Sequence, residues 1–202
     1  MAADSAPRIL PTSTSSRDAL SRCVQVFDDA LPAAFCSQMV ESFAMLSRFQ
    51  VENGRNRQSW LGESAWTELD VGPLSDAAFR SLLLDNIARH LQRYNAMLGF
   101  TLPVPFTTRT SELIIKRYRP GGEERFQPHF DSLGAVSNRY LVCLWYLNDV
   151  AEGGETAFVD LDLEVKPRAG RLLMFPPYWM YQHEGRPPLS GDKYILSTYL
   201  LF

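Results

Sequence analysis

The chain closes on KYILSTYLLF, residues 193–202. Its β-branched and aromatic residues alternate with the two-residue period of a strand. That period sets Lys193, Ile195, Ser197 and Tyr199 on one face and Tyr194, Leu196, Thr198 and Leu200 on the other. A strand that starts with a cation on an otherwise packable face needs a partner for that charge.

Upstream lie further runs of the same texture: SELIIKRYR (111–119), RFQPHFDS (125–132), RYLVCLWYLN (139–148), ETAFVD (155–160) and RLLMFP (171–176). Gly, Pro, Asn and Asp separate them, so everything beyond Thr107 reads as all-β, a barrel or a sandwich. Gly153 and Gly154 suit a tight turn, and Gly170 opens the strand that leads towards His183. Cys143 sits in an apolar run and reads as core.

The N-terminal half carries the helical period instead. Phe35, Met39, Val40, Phe43 and Leu46 mark a helix from Pro32 to about Arg48. A second helix is predicted from Ser75, as N-cap, to Met97, with Phe79, Leu82, Leu83, Ile87, Leu91 and Tyr94 as its stripe and Gly99 as its stop. Residues 1–17 are rich in Ser, Thr, Pro and Ala and read as a flexible arm, leaving 18–202 as one domain: a helical part over about 28–99 and a β core over about 107–202.

With 46% hydrophobic and 21% charged residues in 202, composition is that of one globular domain. A net charge of −3 offers no global field for nucleic acid. No apolar run is long enough for a membrane span and no signal core is visible, so cytoplasmic residence is the default expectation. Three cysteines without CxxC spacing argue against a disulfide framework or a zinc knuckle.

His129 and Asp131, two apart in RFQPHFDS, project to one side of a strand end. A third ligand from a distant strand would complete a two-His, one-carboxylate triad with open coordination positions, and His183 in YQHEG is the leading candidate. His90, the remaining histidine, is expected on the surface of the second helix. The pair alone leaves a zinc hydrolase or a structural role open. What narrows the reading is order: HxD, a GG-containing strand, a Gly-led strand, a His, and a cation ten positions later at Lys193.

With these residues in view, YRPGGEERFQPHFDS (118–132), LWYLNDVAEGGETAF (144–158), KPRAGRLLMFP (166–176) and HEGRPPLSGDKYILSTYL (183–200) resemble the prolyl 4-hydroxylase-like branch of the 2-oxoglutarate/Fe(II)-dependent dioxygenases. The resemblance implies an α+β fold, a double-stranded β-helix or distorted jelly roll with the N-terminal helices packed on one face. It implies that His129, Asp131 and His183 hold Fe(II) and that Lys193 pairs with the distal carboxylate of 2-oxoglutarate. Tyr118 matches a position that reaches the same cosubstrate, and Tyr146, Thr156 and Ser197 match pocket positions more loosely. Tyr199, Arg117 and Trp145 are candidates for the substrate pocket; Arg125 and Arg139 could also meet a carboxylate.

The implied reaction consumes O2 and 2-oxoglutarate, with ascorbate as a candidate reductant, and hydroxylates an unactivated C–H bond. Because Asp131 is retained, halogenation is disfavoured. A free amino acid or small metabolite is favoured as substrate over a prolyl residue in a peptide or protein, and nucleic-acid demethylation is disfavoured. A non-catalytic jelly-roll sensor module is the reading from another class. Substrate selection is expected from the helices, the polar segment Val51–Leu69 and the loop Ser132–Arg139.

Overall fold

The computed structural model describes residues 15–55, 57 and 61–202; most of the arm expected over 1–17 lies outside them. A short helix α1 (Ser16–Ser21) leads into β1 (Gln25–Phe27) and then α2 (Ala33–Met45). The long helix α3 (Ala77–Leu98) starts one residue later than the periodicity suggests, because Asp76 rather than Ser75 is the N-cap. Its carboxylate accepts from Phe79 N at 2.8 Å, while Ser75 Oγ donates to Gly72 O. Gly99, at φ 63°, ends the helix in the left-handed conformation that glycine tolerates.

The polar segment expected only to line the mouth forms two strands, β2 (Val51–Gly54) and β3 (Ala65–Asp70). They interrupt the helical part and extend the main sheet. The C-terminal half supplies β4 (Ile114–Tyr118), β5 (Phe126–His129), β6 (Arg139–Tyr146), β7 (Thr156–Phe158), β8 (Leu163–Val165), β9 (Leu172–Phe175), β10 (His183–Gly185) and β11 (Lys193–Leu201). One sheet has the order β1-β9-β6-β11-β4-β3-β2 and the other β5-β10-β7-β8. Every pairing within them is antiparallel. Side chains from both sheets share one core, in which Tyr118, Val142, Leu144 and Ile195 of the large sheet meet Phe158 and Val165 of the small one. This is the expected double-stranded β-helix.

Strand parity divides the large sheet. Ile115, Leu141, Cys143, Trp145, Leu196 and Leu200 pack outward against Phe43 of α2 and Leu83, Ile87, Leu91 and Tyr94 of α3. The helices therefore cover one face, as expected. Within α3 the buried stripe differs from the expected one. Leu82 is exposed, whereas Asn86 and His90 are buried. Asn86 Nδ2 donates to Ala30 O at 2.6 Å and its Oδ1 accepts from Trp145 Nε1 at 3.1 Å. His90 is thus not a surface residue: it is 3% exposed, its Nδ1 lies 2.8 Å from Asn86 O, and its ring packs 5.3 Å from that of Phe27. Burial lowers its pKa, so it stays neutral in the core. Both polar residues are tolerated inside because each has its partner.

Candidate metal centre

β5 and β10 are antiparallel neighbours with His129 directly opposite His183, and Asp131 follows two residues past the end of β5. Residues far apart in the chain thereby meet at one end of the small sheet. His129 Nε2 lies 3.4 Å from Asp131 Oδ1, and His183 Nε2 lies 3.5 Å from Asp131 Oδ2. One donor atom from each residue falls within 4.8 Å of the others, close enough to share a metal ion.

Each imidazole is fixed from behind. His129 Nδ1 is 2.8 Å from Gln127 O and His183 Nδ1 is 3.0 Å from Tyr181 O. An Nδ1–H donated to a carbonyl leaves the Nε2 lone pair for a metal. Burial, and then the charge of His129, pulls the His183 pKa down to about 4, so it is neutral near pH 7. Burial raises the Asp131 carboxyl, but at the low pH where it titrates the neighbouring imidazoles of His183 and His129 are protonated, and their attraction outweighs burial and holds the group well below its usual range. Tyr199 adds a donor, its hydroxyl giving a hydrogen bond to Asp131 Oδ1 at 3.0 Å. Two imidazoles that present Nε2 and one ionised carboxylate fit a divalent first-row ion and leave coordination positions unclaimed.

Behind the triad lies a narrow pocket of about 30 Å³ bounded by Tyr118, Thr156, Lys193, Ile195 and Ser197. Lys193 pairs across the strands with Tyr118 and is 2% exposed. Its ammonium lies 5.3 Å from the Tyr118 ring centre and 5.8 Å from that of Tyr146, with no hydrogen-bonding partner among the described residues. Burial pulls its pKa down to about 7, only partly opposed by the charge of Glu155. Such a lysine calls for an anion. Tyr146 stands one layer back, its hydroxyl donating to Thr156 Oγ1 at 2.7 Å. Gly154, at φ 76°, passes beside the lysine, and a Cβ there would come within 3.4 Å of Lys193 Cδ.

In front of the triad a second cavity of about 530 Å³ shares Lys116, Phe126, His129, Asp131, Ser197 and Tyr199 with the first. Trp66 and Glu68 of β3, and Leu133, Val136 and Arg139 of the Ser132–Arg139 loop region, form other walls. The segment and the loop expected at the mouth are both here; α2 and α3 are not. Arg117 and Trp145 are not here either. Arg117 points to the helical side, donating to Thr67 Oγ1 and lying over the Phe43 ring, and Trp145 is fully buried against α3. Arg125 is paired with Glu63 at the surface.

Lys116 and Arg139 do belong to the site. Lys116 shares the strand face of Tyr118, so the assignment of Tyr118 to the pocket carries Lys116 with it and turns Arg117 away. Arg139 lies 3.9 Å over the Tyr199 ring and donates to Asp131 O.

Residues 113–201 match the family model of the 2OG-Fe(II) oxygenase superfamily. The chain is 33% identical over 94 residues to the multifunctional procollagen lysine hydroxylase and glycosyltransferase LH3 of Rattus norvegicus, covering 46% of this chain and 12% of that protein. It is 29% identical over 157 residues to prolyl 4-hydroxylase subunit alpha-2 of Gallus gallus, covering 69% of this chain and 25% of that protein. The chain therefore spans a quarter or less of these relatives. The fold is similar to that of a Trichoplax adhaerens prolyl hydroxylase solved with a hypoxia inducible factor peptide fragment. That likeness has a TM-score of 0.69 at 16% identity, over 92% of this chain and 86% of that one. Among the described residues no helix is long and apolar enough to cross a membrane.

Proposed function

We propose that this chain, which through residues 113–201 belongs to the 2OG-Fe(II) oxygenase superfamily, in its prolyl 4-hydroxylase-like branch, hydroxylates an unactivated C–H bond at the expense of 2-oxoglutarate and O2. The observation that carries this reading is the pairing, in one pocket, of the His129–Asp131–His183 triad with the buried Lys193, which has no hydrogen-bonding partner among the described residues. A dicarboxylate cosubstrate held at the triad would find in Lys193 a cation for its second carboxylate.

Bound ferrous iron would supply the oxygen-activating redox chemistry. The chain's own residues do the rest. His129, His183 and Asp131 would hold the ion, and Tyr199 restrains the Asp131 carboxylate. Lys193 neutralises the distal end of the cosubstrate, while Tyr118 and Thr156 shape its slot and Ser197 lies between slot and cavity. The apolar walls Val142, Leu144 and Ile195 exclude water behind the metal.

A small substrate suits the cavity in front of the triad, which lies within the volume range of ordinary small-ligand sites. A peptidyl-prolyl substrate is the second reading, supported by the prolyl 4-hydroxylase relatives and by the neighbour solved with a peptide. Residence in a reducing compartment, the cytoplasm, fits the three free cysteines.

Incubating the ferrous protein with 2-oxoglutarate and pools of amino acids, peptides and metabolites tests the reading. A product one oxygen atom heavier, formed together with succinate, is expected. No succinate with any pool, or turnover with zinc and no O2, would overturn it.

A further inference from the structure

β3 and β4 set Glu68 and Lys116 directly opposite one another as cross-strand partners. At that spacing an acid and a base on one face ordinarily attract each other. Here no ion pair joins them among the described residues, because each is drawn elsewhere. The Glu68 carboxylate accepts from Asn53 Nδ2 at 2.7 Å and from Trp66 Nε1 at 2.6 Å, one donor to each oxygen. The Lys116 ammonium lies 5.1 Å from the Trp66 ring centre and 5.2 Å from that of Phe126, with no hydrogen-bond acceptor among the described residues.

Both side chains line the cavity in front of the metal triad, and neither is used by the triad or by Lys193. Lys116 also borders the inner pocket beside His129 and Asp131. Burial lowers its pKa, partly opposed by the charges of Glu68 and Asp131, and no carboxylate oxygen reaches it to form a hydrogen bond among the described residues. Each Glu68 oxygen keeps a lone pair beyond the bond it already accepts. A fixed acceptor and an unsatisfied ammonium, adjacent but held apart, match a ligand that carries the complementary charges close together.

We propose that Glu68 and Lys116 read the ammonium and carboxylate of a free α-amino acid. The proposal rests on the oxygenase reading and names its substrate class. An internal residue of a peptide has neither charge, so it would leave both groups unpaired in the cavity. Leu61, Ile114, Phe130, Leu133 and Val136 complete an apolar wall suited to an aliphatic side chain.

Binding can be measured without turnover on the manganese-loaded protein with 2-oxoglutarate, by calorimetry and thermal shift. The probes are the proteinogenic L-amino acids, and then the carboxamide and N-acetyl derivatives of those that bind. At least one free amino acid should bind tenfold or more tightly than either blocked derivative. Lys116→Met should erase the preference over the carboxamide and keep that over the N-acetyl form; Glu68→Gln should do the reverse. If Lys116→Met fails to fold, Lys116→Gln serves in its place. The proposal is overturned if no amino acid binds, if the blocked forms bind as well as the free ones, or if the Lys116 variant weakens 2-oxoglutarate instead. Loss of 2-oxoglutarate binding with amino-acid binding intact would count against the oxygenase reading alone.

Discussion

Replacing Lys193 with Met separates the cost of a buried charge from its use. The ammonium is 2% exposed, lies among tyrosine rings, and has its pKa brought from 10.5 to about 7 chiefly by burial. At roughly 1.4 kcal/mol per tenfold change in proton affinity, that is on the order of 4 kcal/mol opposing the folded, ligand-free protein near neutral pH. The sign follows from linkage. A lysine whose folded pKa is depressed binds fewer protons folded than unfolded, so its penalty is largest at low pH and is relieved as pH rises from about 7 towards 10.5. Lys193→Met removes the penalty and keeps most of the volume, and the ligand-free variant should melt several degrees above the parent. The same change strips the distal carboxylate of 2-oxoglutarate of a charged partner. Hydrogen bonds to charged groups are worth about 1.5–3 kcal/mol, so affinity should fall roughly 10- to 150-fold. Differential scanning fluorimetry and calorimetric titration of 2-oxoglutarate into the metal-loaded protein read the two effects. A variant that binds 2-oxoglutarate within threefold of the parent, or one that melts well below it, would refute this account of Lys193.

Three other outcomes are expected. Asp131→Ala should abolish iron-dependent succinate formation while leaving a folded protein, as checked by circular dichroism; retained turnover would remove Asp131 from the metal. The half-saturating concentration of 2-oxoglutarate should rise as pH climbs above about 7, because the free protein then loses the Lys193 proton that binding requires, and Lys193→Arg should flatten that rise. Asn86→Ala should cost about 1–3 kcal/mol of stability in urea unfolding by orphaning Ala30 O and Trp145 Nε1, with turnover per folded molecule unchanged.

Strand parity made much of the site legible in the sequence. In β11 it aligns Lys193, Ile195, Ser197 and Tyr199, and all four line the inner pocket. The same rule, applied evenly, excludes Arg117 once Tyr118 is chosen and Trp145 once Tyr146 is chosen, and it admits Lys116. Polarity is a poor guide there, since Arg117 finds Thr67 and Trp145 finds Asn86 on the helical side. His90 misleads for a related reason: a histidine amid Arg89 and Arg93 looks solvated, yet a backbone carbonyl one turn away satisfies its ring in the core. β2 and β3 were hidden because their sequence, VENG and AWTELD, lacks a clean alternation, and their place comes from the edge that β4 offers. The convergence of His183 on His129 is a tertiary fact, written in the order of strands and not in any local pattern.

The most direct test of the central claim supplies isotopically labelled dioxygen to the ferrous protein with 2-oxoglutarate and follows the succinate by mass spectrometry. One labelled oxygen atom in the succinate, lost in both Asp131→Ala and His183→Ala, is the predicted result. Unlabelled succinate, or label that persists in the triad variants, would contradict it.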